Sequence, residues 1–190
     1  MKRQSPNLLG AVVRDYFTDH LPRQRGFSPN TIHSYRDSIV LLLRFVEKQT
    51  QKHVTGLDLA DLDSKRILAF LAHLEQERHN GVSTRNVRLS AIHAFFRFAA
   101  SRAPEHLDLA QRVLGIPFKR ARQRVIDYLE YDEIDLVLKA IDRTTPPGHR
   151  AYVLLATMFN TGARVQEIVD MRSRDLQLRK PDTGRLLGKG

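Results

Sequence analysis

Ser28-Pro29-Asn30-Thr31-Ile32-His33-Ser34-Tyr35 opens the segment on which the reading of the fold turns. A hydroxyl able to accept from the free N–H groups of a first helical turn is followed by proline at the first helical position, where its missing N–H costs nothing. Ile32, Tyr35, Ile39, Leu42 and Val46 then recur at alternating spacings of three and four, which predicts one helix with a single apolar stripe, ending near Lys48. The opposite side carries His33, Arg36, Asp37, Arg44 and Glu47. A stripe of this kind needs apolar partners, and the flanking sequence offers them.

Downstream, Ser64 stands before Ile67, Phe70, Leu71 and Leu74, with Asn80-Gly81 as the expected left-handed stop. Ser83 stands before Val87, Ala91, Ile92, Phe95, Phe96 and Ala99, a broad apolar face suited to the centre of a bundle. Upstream, Leu9, Val12, Val13, Phe17 and Leu21 keep helical spacing over residues 8–21. Residues 1 to about 110 therefore read as a four-helix domain. Around Pro104, Gly115 and Pro117 the periodicity lapses, and Lys119-Arg120-Ala121-Arg122-Gln123-Arg124 puts four positive charges into six residues. This is a linker with a positive surface, or a solvated charge run in an ordinary connection.

Tyr131-Asp132-Glu133 places acidic residues at a new helix start, followed by Ile134, Val137, Leu138 and Ile141. Pro146-Pro147-Gly148 is expected to break the chain before residues 152–159, an almost wholly apolar helix whose lack of a polar face implies burial on all sides. Asn160-Thr161-Gly162 ends it, which holds Arg164 at a tight turn before a short helix. Residues 176–190 suggest a hairpin around a Pro181-Asp182-Thr183-Gly184 turn. The expected layout is mainly α: a helical domain over 1–113, a basic linker over 114–130, and an α-rich second unit with a small hairpin over 131–190.

Thirty-one Lys and Arg against 21 Asp and Glu leave a formal charge of +10, which favours a polyanionic partner. There is no cysteine, so disulfides, thiolate metal sites and cysteine nucleophiles are excluded. The eight His show no HExxH or similar spacing, and neither a metal nor a cofactor is expected. The basic N-terminus lacks a long apolar core, and the apolar runs 39–43 and 152–159 are too short for a bilayer. The expectation is a cytoplasmic protein with no membrane contact.

The turn Thr161-Gly162-Ala163-Arg164-Val165-Gln166-Glu167 resembles the first catalytic box of the tyrosine recombinases, or phage integrases, commonly T-G-x-R-x-x-E. Its surroundings sharpen the match: a buried apolar helix before it, Arg172, Arg174 and Asp175 after it, and then Leu187-Gly188-Lys189-Gly190, where the family carries its catalytic Lys in a G-K-G hairpin. The N-terminal unit is similar to the family's core-binding, SAM-like domain. Ser28-Pro29-Asn30-Thr31 with Tyr35, and Ser83-Thr84 with Arg88 followed by Phe95-Phe96, match its recurrent helices, the second with altered spacing between hydroxyls.

The resemblance implies double-stranded DNA as partner, other recombinase protomers on that DNA, and a parent reaction in which a Tyr attacks a phosphodiester to give a 3′-phosphotyrosyl link. Fixed guanidinium donors suit such a phosphate, because their planar fork makes two parallel hydrogen bonds and stays protonated. Arg164 is the matching catalytic position. Lys189 would protonate the leaving 5′ oxygen, or be a solvated tail residue. Glu167 would orient Arg164, or serve as an ordinary cap or ion-pair partner.

For DNA contact the candidates are Thr31, His33, Arg36, Ser83, Thr84 and Arg88, with Lys119, Arg120, Arg122 and Arg124 along the linker. Thr31 and Ser83 also read as plain helix caps, and Arg88 as an intradomain partner close to the apolar arc. The family's later H-x-x-R box and nucleophilic Tyr have no counterpart, since the tyrosines at 16, 35, 128, 131 and 152 lie at other places. The sequence thus reads as a recombinase truncated before its nucleophile, from an integrase or a transposase. The other readings are an inactive binding fragment that occupies recombination sites, and a helical interaction protein whose basic charge is incidental.

Overall fold

Asn7 starts the first helix, α1 (Leu8–Asp15): its side-chain oxygen accepts from the Gly10 N–H at 2.8 Å, while its amide nitrogen donates to the carbonyls of Thr55 and Leu57. The computed structural model describes residues 7–121, 127–178, 180 and 183–185, and the chain divides into two compact units, 1–123 and 124–190. α1 runs directly into a nine-residue π-helix, Tyr16–Gln24. The helix expected over 8–21 is present but changes register at Tyr16. In a π turn residues five apart fall on one face, and Tyr16 and Leu21 are both buried there.

Ser28 caps α2 (Pro29–Thr50), and Ile39, Leu42 and Val46 enter the core as the spacing predicts. The third helix, α3 (Ser64–Gln76), has Asp63 rather than Ser64 as its cap, the Asp63 carboxylate accepting from the Arg66 N–H at 2.7 Å. Its C-terminus also differs from expectation. The Asn80 N–H closes onto the Leu74 carbonyl at 2.9 Å, which puts the left-handed residue at His79 (φ 52°) instead of Asn80-Gly81. Gly81 is extended and becomes the residue before α4 (Val82–Arg102), so Ser83 lies inside the first turn and is not the cap.

α4 packs against α2, α3 and a short fifth helix, α5 (Leu107–Leu114), which occupies the stretch where no periodicity was expected. Arg85, Leu89, Ile92, Phe96 and Ala99 form its inner line, with Ala91, Phe95 and Phe98 beside it, all buried. That register leaves Val87 half-exposed, against the expectation that it belongs to the apolar face. The core also takes Leu57, Leu59 and Leu62 from the α2–α3 connection. Two buried polar groups sit on α4. His93 shares a 3.1 Å hydrogen bond between Nε2 and the Val113 carbonyl of α5, and the Arg85 Nη1 donates to the Pro117 carbonyl at 3.2 Å.

In the second unit, Glu133 returns to the Glu130 N–H at 2.8 Å at the start of α6 (Tyr131–Lys139). α7 (Pro146–Thr161) begins at Thr145, whose hydroxyl accepts from the Gly148 N–H, so Pro146-Pro147-Gly148 forms its first turn instead of breaking the chain ahead of it. A β-carbon at Gly148 would overlap the Asp142 carbonyl, which makes glycine the residue that fits. α8 (Val165–Val169) and a 3-10 turn, Ser173–Asp175, lead to an antiparallel pair, β1 (Leu176–Gln177) and β2 (Thr183–Gly184), with Leu176 opposite Gly184. Thr183-Gly184 is therefore strand, not turn. Residues 186–190 lie outside the described residues.

The burial expected for residues 152–159 is not found. No residue of α7 is buried, and Val153, Leu155 and Phe159 are 48%, 38% and 41% exposed. Among the described residues of this unit, α6 and α8 are the helices that pack on α7, and they cover only part of its circumference.

His93 makes the first unit sensitive to acid. Burial holds its pKa below the ordinary value, Arg97 and Arg85 push the same way, and the bond to Val113 opposes them. As pH falls through about 6.5 the unfolded chain takes up this proton before the folded one, so stability present above that pH is lost below it. The urea midpoint of unfolding is expected to drop between about pH 7.5 and 5.5, and His93→Gln is expected to flatten that dependence. An unchanged dependence in the variant contradicts the assignment.

Candidate nucleic-acid interface

Thr31 is half-buried in the first turn of α2, its hydroxyl 3.0 Å from that of Ser28, and its N–H is taken by the cap. His33 and Arg36 follow on the exposed side. At the start of α4 no side chain caps the helix, and Ser83 and Thr84 are both exposed beside its free N–H groups. A helix N-terminus of this length with uncommitted donors suits an anionic oxygen. Arg88 is engaged differently. Its Nη1 donates to the Ser38 hydroxyl at 3.1 Å and the Ser34 carbonyl at 3.4 Å, bridging α4 to α2, and its Nε is buried without a partner.

The start of the basic segment is fastened to α4. Asn86 donates from Nδ2 to the Lys119 carbonyl at 2.7 Å and accepts the Lys119 N–H at 3.1 Å on Oδ1. The Lys119 ammonium turns to Glu75 on α3, 2.7 Å away, while Arg120 is exposed and has no ion pair among the described residues. Arg122 and Arg124 lie outside the described residues. Arg85 and Asn86, which position this segment, were not singled out by sequence reasoning. Their contacts span 32 and 33 positions, so no local pattern carries them; only Arg85, four before Leu89 on the apolar line, leaves a trace.

In the second unit, Gly162 adopts φ 66° and turns the chain sharply after α7. Ala163 packs inward and Arg164 stands at the first position before α8, its side chain 78% exposed. Glu167 reaches back with both oxygens: Oε2 accepts the Arg164 N–H at 3.0 Å and Oε1 accepts Nη1 at 2.9 Å. The backbone N–H of Arg164, and next its guanidinium, hold this carboxyl below its ordinary pKa. A guanidinium has five N–H donors, so most of those on Arg164 remain for another acceptor. Lys189 lies outside the described residues. Among the described residues no cluster of His, Asp and Glu is placed to hold a metal, and no helix is long and apolar enough to cross a membrane.

Residues 15–103 match the model of the phage integrase N-terminal SAM-like domain. Two proteins of Sinorhizobium fredii named as integrase/recombinase, y4rC and y4rD, are 40% and 41% identical to this chain, in each case over 96% of it. The chain belongs to the tyrosine recombinase family. It spans 55% and 66% of those two relatives, and half of the tyrosine recombinase XerC of Oceanobacillus iheyensis, to which it is 27% identical over 85% of its own length. Within this chain the SAM-like match covers α2, α3 and α4, hence every candidate DNA residue except Lys119 and Arg120 and the undescribed arginines.

Two measurements check this geometry. Replacing Asn86 by Ala removes both bonds to Lys119, each worth about 0.5–1.5 kcal/mol, and is expected to speed hydrogen exchange at the Lys119 amide. In an NMR pH titration the Glu167 carboxyl is expected to titrate below an ordinary glutamate and to move only part of the way back up in Arg164→Ala, which keeps the backbone N–H. Its stabilising effect is present above the unfolded-state pKa and fades as pH falls through the folded one.

Proposed function

We propose that this chain is the DNA-binding N-terminal portion of a tyrosine-type site-specific recombinase, whose full-length form cuts and rejoins DNA through a 3′-phosphotyrosyl intermediate. The observation that carries the reading is Arg164: a largely exposed guanidinium at a left-handed glycine turn, braced by Glu167, within the T-G-x-R-x-x-E pattern. In the parent reaction Arg164 grips the scissile phosphate and stabilises the charge that grows on its oxygens. Loss of one such preorganised donor typically costs about 2.7–4 kcal/mol of transition-state stabilisation. Glu167 is a positioning residue in this scheme. Lys189 is the general acid by sequence correspondence alone.

DNA binding itself belongs to the first unit. The exposed His33 and Arg36 on α2, the uncapped start of α4 with Ser83 and Thr84, and the basic segment from Lys119 and Arg120 onward offer donors to phosphate oxygens. Thr31 adds a hydroxyl shared with its cap. The role of Arg88 is to hold α4 against α2, and it contributes to DNA through that packing. Arg122 and Arg124, candidates by sequence alone, add positive charge for DNA phosphates and so salt-dependent affinity. A DNA-bound form brings other protomers into play, because strand exchange joins two duplexes.

Binding to a fluorescent duplex is expected to weaken steeply between about 50 and 200 mM salt, with a log–log slope near −0.9 per neutralised phosphate. Arg120→Ala is expected to make that slope shallower by about one contact. Glu75→Gln, which frees the Lys119 ammonium, is expected to strengthen binding. Affinity independent of salt overturns the proposal.

A further inference from the structure

Between the π-helix and the C-terminal half of α4 lies a cavity of about 240 Å³ that none of the DNA-directed residues enters. Three kinds of wall surround it. The rings of Tyr16, His20, Phe27 and Phe98 supply apolar faces, with His20 stacked on Tyr16 at 5.7 Å and tilted against Phe98 at 4.6 Å. Arg25 and Arg97, both exposed, bring two guanidinium groups, and the Ser101 hydroxyl adds a further donor. No Asp or Glu is part of the lining, and among the described residues neither arginine has an ion-pair partner.

Tyr16 borders the cavity, while its hydroxyl is enclosed within the protein. Tyr16 is wholly buried and its hydroxyl has no hydrogen-bond partner in the protein. A buried polar group of this kind costs about 1–3 kcal/mol unless something satisfies it, and native proteins rarely leave one orphaned. Burial, and then the nearby Tyr35, push the phenol well above its ordinary pKa against a weaker pull from Arg25, so it stays protonated and acts as a donor. The cavity also runs along a π-helix, a backbone form found more often at functional sites than elsewhere.

We propose that this cavity binds a small aromatic carboxylate. Two unpaired guanidiniums without a neighbouring carboxylate select an anion, and the aromatic faces select a planar body. The size sets the class: the space equals roughly eight water volumes, below the range of about 300 Å³ and upward usual for drug-sized ligands. The carboxylate meets the forks of Arg25 and Arg97 while the ring lies among His20, Phe27 and Phe98. A ligand held there joins the π-helix, the 25–28 connection and α4, and so rigidifies the start of α2 against the end of α4.

The test is an NMR titration of the ¹⁵N-labelled 190-residue chain with benzoate and salicylate up to about 10 mM, with benzamide as a neutral control of the same shape. Saturable shifts confined to residues 16–27 and 94–101, a rise in Tm with ligand, and at least a tenfold loss of affinity in Arg97→Ala and in Arg25→Ala are expected. Both substitutions replace exposed side chains, and unchanged circular dichroism and Tm without ligand show that the variants fold. The proposal is overturned if no shift saturates, if benzamide binds as well as benzoate, or if neither variant loses affinity. Displacement of benzoate by a short DNA duplex at the same amides also overturns it, because the two arginines would then serve the DNA backbone.

Discussion

The first unit depends on the desolvation of one helix. α4 carries Leu89, Ile92, Phe95, Phe96 and Phe98 around so much of its circumference that it is stable only when α2, α3 and α5 enclose it. Phe95 and Phe96 alone are among the largest fully buried side chains, and burying each stabilises by about 1.5–3 kcal/mol relative to exposure. Enclosure then dictates the polar devices. His93 and Arg85 can be buried on α4 only because the carbonyls of Val113 and Pro117 are brought to them, which draws α5 and the residues after it against α4. The position of the basic segment is therefore a product of core packing as much as of its own charge.

The second unit lives under the opposite condition. Its helices are properly capped and turned, by Glu133, Thr145 and Gly162, yet α7 keeps apolar side chains in solvent and no residue on it is fully enclosed. Local chemistry fixes where these helices start and stop, whereas burial needs a sufficient mass of surrounding chain. Contiguous exposed apolar surface of this sort is characteristic of faces that meet other protein.

Signals that act within one or two turns were legible in the sequence. Ser28-Pro29 announced α2, Gly162 announced the turn to Arg164, and the spacing of Ile39, Leu42 and Val46 gave the buried stripe correctly. What escaped depends on distant contacts or on a different helical period. The π register from Tyr16 is invisible to a search at 3.6 residues per turn, and α5 was hidden because Pro104 and Gly115 suggested an irregular stretch although Ala110 and Val113 pack inward. His79 took the left-handed position because the closing bond runs from Asn80 to Leu74, and a histidine adopts that conformation more readily than most residues. At the site the pattern around Arg164 was readable, since the brace from Glu167 is three residues away. The fastening of Lys119 by Asn86 was not, since it crosses the fold.

The double grip of Glu167 on Arg164 has a consequence for the freedom of that side chain. One carboxylate fixes both the main chain and the guanidinium of the same residue, so this side chain has already surrendered part of its rotamer freedom. The same carboxylate cancels part of the positive charge. The guanidinium is thus aimed in advance yet electrostatically muted, with most of its N–H groups still uncommitted.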